Sequence, residues 1–201
     1  MQTSFDYIIV GAGSAGCVLA RRLIDTQQVT VCLIEAGASD SNPCIHIPFG
    51  VALLARMQGI NWNYNTVPQT ELNQRALFWP RGKVMGGSSS VNAMCYIRGQ
   101  YSDYDDWEES GAVGWNAQSV LPFFTKSEDN TRGESLYHGI GGPLGVSDLR
   151  HHDPLSQAFI RAGESVQLAH IEDFNTDQRV GVGLYQVSHR NGQRCSTAKG
   201  F

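Results

Sequence analysis

Residues 11–16 read GAGSAG, with the Gly-x-Gly-x-x-Gly spacing that binds the pyrophosphate of a dinucleotide. Gly11 permits a tight turn, Gly13 leaves room for a phosphate, and Gly16 lets a helix pack closely on a strand. Glu35 follows about 20 residues after Gly16, where a carboxylate can accept hydrogen bonds from ribose hydroxyls. The spacing therefore predicts dinucleotide binding, and the acid disfavours a 2′-phosphate such as that of NADP.

A second glycine-rich segment, GKVMGGSSSVNAMCYIRG, occupies residues 82–99. Gly86 and Gly87 lack side chains, while Ser88 and Asn92 add a hydroxyl and an amide, so the run can present polar groups to an anion or a flat ring. A solvated serine–glycine loop is the alternative, but much of the segment is apolar. Its apolar residues are Val84, Met85, Val91, Ala93, Met94, Cys95 and Ile97. The segment therefore predicts a close approach of the backbone to a ligand.

The first glycine loop lies in a predicted βαβ unit. The pattern predicts a strand at 7–10, a helix over 17–25 and a strand at 29–34 that leads into Glu35. This context favours dinucleotide binding over a purely structural turn. A hydrolase nucleophile at Ser14 is disfavoured, because the motif G-x-S-x-G requires glycine where this chain has alanine.

The rest of the chain alternates loops with shorter elements. We expect a loop over 39–48, a short helix over 49–57 and extended chain over 61–67. Further elements are expected as helices over 102–109, 117–127 (capped by Asn116) and 154–167, a strand at 184–189, and a helix beginning at 196–199. Because the chain stops at this helix start, we expect a fragment of a longer protein.

Composition restricts the class of function. The 201 residues carry a net charge of −4 and show no basic stripe, which argues against nucleic-acid binding. The five cysteines have no CxxC spacing, so we do not expect a zinc knuckle. Scattered thiols of this kind fit a reducing compartment, and we expect a cytoplasmic location. No apolar run reaches the roughly 20 residues of a transmembrane helix. His151, His152 and the acidic run at 103–109 lack the spacing of metal sites, so we expect no bound metal.

Several motifs in order resemble one family. They are DYIIVGAGSAGCVLARRL, LIEAG, NWNYNTVPQ, GKVMGGSSSVN, YIRGQYSDYDDW, VLPFFTKSED and NGQRCSTAKG. Together they resemble the glucose–methanol–choline (GMC) oxidoreductases, and the choline-dehydrogenase-like branch is the nearest. The resemblance implies an α/β fold with a Rossmann-like FAD-binding βαβ domain, incomplete here. It places this domain at 1–150, the start of a substrate domain at 151–192 and a return to the first domain at 193–201.

The resemblance also implies which residues hold FAD. The pyrophosphate would lie on Gly11, Gly13, Ser14, Ala15 and Gly16, the adenosine ribose on Glu35, and the adenine end near Trp62. The remaining expected cofactor-binding residues are Ala36, Arg81, Gly82, Val84, Met85, Gly86, Gly87, Ser88, Asn92, Ala93, Met94 and Cys95. Two alternatives stay open: Arg81 either offsets phosphate charge or pairs with an acid, and Cys95 either approaches the flavin or fills apolar space.

One departure from the family bears on how FAD is held. Some members attach FAD through a histidine directly before the asparagine of this segment, and here that position is Val91. A valine side chain has no nucleophilic atom. The sequence therefore predicts non-covalent FAD.

The reaction implied by the resemblance is oxidation of a primary alcohol, choline-like or other, to the aldehyde. Hydride would pass to flavin N5, and the electrons then to oxygen or to a quinone or dye. By this resemblance the family's catalytic histidine, with its histidine or asparagine partner, lies far toward the C-terminus and beyond this chain, so no catalytic residue is assigned. A hydroxynitrile-lyase-type enzyme and a catalytically inactive FAD-binding fragment remain alternatives, as does membrane association of the full-length enzyme.

Overall fold

The computed structural model describes residues 4–26 and 28–201 of the chain. Contacts within the chain divide it into two units. One contains the residues up to Met94 together with Asn191–Phe201, and the other is Cys95–Arg190. The domain boundaries expected from the family resemblance stay a prediction.

The first unit begins with the predicted βαβ arrangement. Strand β1 (Tyr7–Val10) and strand β2 (Val31–Ile34) run parallel, and helix α1 (Ser14–Thr26) lies between them in the chain. The α/β class is therefore confirmed. Helix α1 begins three residues before the predicted start, since the N–H of Cys17 already donates to the carbonyl oxygen of Gly13 at 3.0 Å.

Short helical turns follow in the stretch where a loop was expected over 39–48 and a short helix over 49–57. Helix α2 spans Pro43–His46, a 3₁₀ turn spans Pro48–Gly50, and helix α3 spans Val51–Leu54. The loop prediction is thus wrong at α2, because the Asn42 side chain accepts a backbone N–H of that turn and a proline occupies its first position.

The remainder of this unit up to Met94 is a small antiparallel pair and two 3₁₀ turns. Strand β3 is Tyr64–Asn65, β4 is Phe78–Trp79, and the turns are Thr70–Leu72 and Gly87–Ser90. The apolar core of the unit consists of Ile45, Leu54, Val84 and Val91. Two residues of the second glycine segment therefore anchor it in the core.

The second unit contains a mixed sheet and three helices. Its elements are β5 (Cys95–Tyr96), α4 (Tyr101–Glu109), α5 (Ala117–Ser127), β6 (Glu128–Asn130), β7 (Leu144–Ser147), α6 (Pro154–Ser165) and β8 (Gln186–Arg190). Within the unit the strand order is β5-β8-β7-β6. Strands β6 and β7 are parallel, whereas β8 is antiparallel to both of its neighbours in this order.

Local capping explains where two of these helices begin. Asn116 accepts the N–H of Ser119 at 2.8 Å, so α5 starts directly after it, and Pro122 lies inside the helix. Asp153 accepts the N–H of Leu155 at 2.8 Å and starts α6 in the same way. No helix within residues 4–26 and 28–201 has the length and apolar character needed to cross a membrane.

The chain returns to the first unit through strand β9 (Gln193–Arg194) and helix α7 (Thr197–Gly200). The turn before β9 matches the sequence signal, because Asn191 and Gly192 both have positive φ values, 53° and 87°. Thr197 donates its backbone N–H to the Ser89 hydroxyl at 3.0 Å. The return segment is therefore bonded to the second glycine segment.

A buried charged network lies in the second unit. Nδ1 of His138 lies 2.9 Å from a Glu128 oxygen, and Nε2 lies 2.7 Å from an Asp173 oxygen. A guanidinium nitrogen of Arg98 is 2.9 Å from the same Glu128 oxygen. Burial by itself lowers the pKa of His138, but its hydrogen bonds to Asp173 and Glu128 outweigh that effect and raise the pKa to about 9. The imidazolium is therefore the form that stabilises the folded unit at neutral pH.

We expect His138→Gln to remove a pH dependence of stability. The pKa of this histidine rises from about 6.5 unfolded to about 9 folded. Its stabilisation is therefore complete below the unfolded value and is lost as the pH rises through the folded one. The wild-type free energy of unfolding should fall by on the order of 3 kcal/mol across this window. Urea denaturation at stepped pH measures the difference between the two proteins.

His170→Gln is the matched control, because His170 is 43% exposed and pairs with Glu164 and Glu172 at the surface. Exposed pairs contribute little to stability, so this variant should keep the wild-type pH slope. An equal slope in the wild type and in His138→Gln would contradict the prediction.

Candidate functional site

A cavity of about 630 Å³ opens at the carboxyl ends of β1 and β2. In parallel sheets this edge is where ligands bind, because loops and helix N-termini converge there. Its lining residues are Val10, Gly11, Gly13, Ser14, Ile34, Glu35, Ala36, Trp62, Arg81, Gly82, Gly87 and Ser88. The cavity thus brings together parts of both glycine segments, the acid after β2 and the aromatic residue expected near adenine.

Val10 and Ile34 are the two lining residues that sequence reasoning missed. Both are the last residues of their strands, and both side chains are exposed. The sequence could have indicated both residues, since the last residue of a parallel strand lies at the edge of the sheet where ligands bind.

The first glycine loop turns the chain from β1 into α1. Gly11 has φ +98°, and its N–H donates to the carbonyl oxygen of Ile34 at 2.7 Å. A Cβ atom on Gly16 would overlap the carbonyl oxygen of Gly11, so only glycine lets the helix approach this closely. The first turn of α1 contains no acidic residue, which leaves the positive end of the helix dipole uncompensated. This geometry suits an anion such as a pyrophosphate.

The two glycine segments pack directly against each other. A Cβ atom on Gly87 would lie 2.8 Å from Cα of Gly13, closer than real contacts allow. The N–H of Gly86 donates to the carbonyl oxygen of Ala12 at 2.7 Å. Gly86 and Gly87 have φ values of +85° and +55°, which favour glycine. The second segment therefore completes the floor of the cavity that the first one begins.

Glu35 links the cavity walls through backbone hydrogen bonds. One carboxylate oxygen accepts the N–H of Ala12 at 2.8 Å, and the other accepts the N–H of Gly37 at 2.8 Å. An ionised carboxylate has about four acceptor sites, so both oxygens can accept further hydrogen bonds. Glu35 therefore orders the glycine loop and still offers acceptors to hydroxyl groups in the cavity.

Aromatic and cationic side chains form one rim of the cavity. Trp62 stacks on Tyr64, with ring centroids 5.8 Å apart and planes within 7°. Nζ of Lys83 lies 4.7 Å from the Trp62 ring centroid. Arg81 lies over the Trp79 ring and makes no ion pair with any carboxylate in the described ranges. Pairing with an acid is thus not seen for Arg81, and the phosphate role stays a prediction.

Other expected cofactor residues do not line this cavity. Val84 is buried in the apolar core of the unit, and Ala15 is the second residue of α1. Cys95 belongs to the second unit, where it is exposed on β5. The other expected cofactor-binding residues outside the cavity lining are Gly16, Met85, Gly86, Asn92, Ala93 and Met94. Their roles in cofactor binding, and those of the lining residues, stay predictions.

The cavity fits one half of a dinucleotide. It combines glycines that leave room for phosphate, an uncompensated helix N-terminus, a carboxylate with free acceptor sites and an exposed indole. Its volume lies within the range of small-molecule sites, about 300–1,000 Å³. Among the described residues, no group of three or more His, Cys, Asp or Glu side chains is placed to hold a metal ion.

A family model described as GMC oxidoreductase matches residues 5–201. The chain belongs to the GMC oxidoreductase family. The cofactor expected from the sequence, FAD, is confirmed by this membership and by the solved relatives.

Known GMC relatives are similar to the whole chain. An alcohol dehydrogenase (acceptor) of Pseudomonas putida is 52% identical over 198 residues, which are 98% of this chain and 36% of that protein. An oxygen-dependent choline dehydrogenase of Vibrio vulnificus (strain YJ016) is 43% identical over 203 residues, covering 100% of this chain and 36% of the relative. Pyridoxine 4-oxidase from Mesorbium loti matches in structure with a TM-score of 0.92 and 38% identity, over 98% of this chain and 39% of that one. The chain therefore spans somewhat more than a third of the length of these relatives.

We expect Gly87→Ala to disrupt the cavity floor. Its new Cβ would lie 2.8 Å from Cα of Gly13, and the residue would keep a φ of +55°. Backbone strain and overpacking together should lower the free energy of unfolding by about 2–4 kcal/mol. FAD binding should weaken as well, because the two glycine segments must separate. Thermal unfolding and FAD titration of the apoprotein measure the two effects.

Gly59→Ala is the matched control for this substitution. Gly59 has φ +83°, but a Cβ atom there would meet no atom within 4 Å. The Gly59→Ala variant therefore has the backbone strain without the steric clash, and its FAD affinity should stay at the wild-type value. Equal losses of stability and FAD affinity in both variants would contradict the prediction, because the contact between the two glycine segments would then not be the cause of either loss.

Proposed function

We propose that this chain supplies the FAD-binding part of an enzyme that oxidises a primary alcohol to the aldehyde. The observation that carries the proposal is the cavity at the ends of β1 and β2, with glycines from two segments, the N-terminus of α1 and the Glu35 carboxylate. Such a site holds a dinucleotide through its phosphates and a ribose. The names of the relatives, an alcohol and a choline dehydrogenase, support the alcohol as substrate.

The residues of this chain would bind and orient the cofactor. Bound flavin would supply the hydride acceptor for the carbinol carbon, and a base would take the hydroxyl proton. Ser14, at the start of α1, and the glycines around it would hold the pyrophosphate, and Glu35 would accept hydrogen bonds from the ribose. No histidine of the described residues lines the cavity, so the proton acceptor is not assigned to this chain.

The substrate and the electron acceptor are proposed only as classes. A primary alcohol, choline-like or other, is the substrate class, and oxygen or a quinone or dye is the acceptor class. The alcohol dehydrogenase relative is named for an acceptor, and the choline dehydrogenase relative for oxygen dependence.

Anaerobic mixing of the FAD-loaded holoenzyme with alcohols tests the proposed reaction. Choline and simple primary alcohols are added in turn, and flavin absorbance is followed in the visible range. At least one alcohol should bleach the flavin and yield the corresponding aldehyde. If no alcohol bleaches the flavin while a hydroxynitrile is cleaved, a lyase replaces the oxidoreductase. If neither substrate reacts, the protein only binds FAD.

We also expect FAD to be released intact when the holoenzyme is precipitated with acid. Val91 occupies the position of the attachment histidine of some family members, and its side chain is buried in the core with Ile45, Leu54 and Val84. Mass spectrometry of the pellet should find unmodified protein, and the supernatant should hold all of the flavin. A flavin adduct on any peptide of residues 82–99 would refute non-covalent binding. Val91→His, which introduces a ring nitrogen, shows whether the assay detects attachment.

A further inference from the structure

A second cavity lies within the second unit. It has a volume of about 330 Å³ and is lined by residues that directly follow β7, by one face of α6 and by residues that directly precede β8. All of its described lining residues belong to Cys95–Arg190, and none of them lines the cavity at the ends of β1 and β2. Its volume suits a small ligand, since it lies at the lower end of the range of small-molecule sites.

Arg132 is a cation that lines this cavity, and carboxylates already hold it. Nε and Nη2 lie 2.9 and 2.8 Å from Oδ1 of Asp148, and Nη1 lies 3.3 Å from an Asp173 oxygen. Nη1 also donates to the carbonyl oxygen of Glu172 at 2.8 Å. Burial by itself lowers the pKa of Arg132, but its contacts with Asp148 and Asp173 outweigh that effect and raise the pKa. The guanidinium is therefore engaged by these groups and is a poor partner for an incoming anion.

The two carboxylates that line the cavity keep acceptor capacity. The hydrogen bonds that described residues donate to the Asp148 carboxylate all end on Oδ1, where Gln186 donates at 3.1 Å beside Arg132. Its Oδ2 is therefore left for another donor. The Glu172 side chain is 87% exposed, and one of its oxygens lies 3.3 Å from Nε2 of His170. Two carboxylates thus line the cavity beside one guanidinium that is already paired, so the lining favours a cationic ligand.

Apolar side chains form another part of the wall. They are Leu149, Ile160, Ile171 and Leu184. Ile160 and Ile171 are almost fully buried, so they belong to the packed interior of the unit and form a fixed floor. The ring of Tyr185 also lines the cavity, and aromatic ring faces attract cations. A ligand that fits this cavity therefore has an apolar body and a positively charged end.

We propose that this cavity binds a small primary alkylammonium ion, with the ammonium group at Asp148 and Glu172 and the alkyl chain on Ile160 and Ile171. An ammonium N–H supplies the donor that Oδ2 of Asp148 lacks, and such charge-assisted hydrogen bonds are stronger than neutral ones. A quaternary ammonium has no N–H group to donate. A metal ion is a poorer fit, since no group of three or more His, Cys, Asp or Glu side chains in the described ranges is placed to hold one.

Isothermal titration calorimetry of the FAD-loaded holoenzyme tests the charge of the ligand. The probes are n-butylammonium, butyramide and butyrate, which share a four-carbon body and differ in charge. They are compared at constant ionic strength and about pH 8, above the range in which imidazoles usually titrate. Butylammonium should bind, and the other two should bind at least roughly tenfold more weakly. Butyramide or butyrate binding as tightly as butylammonium, or no binding of butylammonium, would overturn the proposal.

The length of the alkyl chain tests the apolar floor. Methylammonium carries the same charge as butylammonium but lacks the methylenes that would contact Ile160 and Ile171. It should bind at least several-fold more weakly, because less apolar surface is buried. Equal affinities of the two ions would contradict the proposed placement of the chain.

Variants of the two carboxylates test where butylammonium binds. Asp148→Asn should weaken its binding roughly tenfold or more, because the charge is lost while the shape of the side chain is kept. Glu172→Gln should weaken it several-fold, and it serves alone if Asp148→Asn, which also loses the pair with Arg132, does not fold. Glu109→Gln is the matched control, because Glu109 is an exposed carboxylate on α4 outside the cavity lining, and butylammonium affinity should stay at the wild-type value. Wild-type affinity in the folded carboxylate variants would place the bound ion elsewhere and overturn the proposal.

The proposal goes beyond the proposed function and does not rest on it. If no alcohol reduces the flavin but butylammonium binding depends on Asp148 and Glu172, the alcohol oxidation fails and the ammonium site is supported. If an alcohol reduces the flavin but butylammonium binding is unchanged in both carboxylate variants, only the ammonium site fails.

Discussion

The contact between the backbones of Gly13 and Gly87 is the constraint on which the site depends. A single Cβ on Gly87 would lie 2.8 Å from Cα of Gly13, so no other side chain fits between the segments. This contact places the second segment beneath the start of α1 and closes the floor of the cavity. The approach requires glycine at position 87, whereas a Cβ atom on Gly13 would lie 4.0 Å from Cα of Gly87, an ordinary contact distance.

Two charged side chains of the first unit organise backbone groups of the glycine segments. Glu35 accepts the N–H groups of Ala12 and Gly37, while Arg194 donates to the carbonyl oxygens of Ile45 and Ser89. In this way an anion orders the first glycine loop and a cation orders the second. Both side chains use charge-assisted hydrogen bonds to fix backbone groups of these loops.

The second unit uses charge differently. Glu128, His138 and Asp173 form a buried chain of ion pairs, with Arg98 at one end. Burial raises the pKa of Glu128, yet its contacts with His138 and Arg98 hold that pKa below its usual value. These groups pair with one another, although Oε2 of Glu128 and Nε of Arg98 are buried without a hydrogen-bond partner. Each group therefore depends on its neighbours keeping their charge.

The sequence by itself determined the βαβ unit and the α/β class, because these follow from local patterns: apolar runs, glycine spacing and a helix start. FAD as cofactor was implied by the resemblance of its motifs to the GMC family. Local signals at Asn42 were also present but were outweighed by the loop-like composition around them. Only the tertiary structure decided that Gly13 meets Gly87, that Val84 and Val91 are core residues, and that Arg194 holds Asn92. These contacts join residues distant in the chain, and no local periodicity encodes which distant backbone groups will meet.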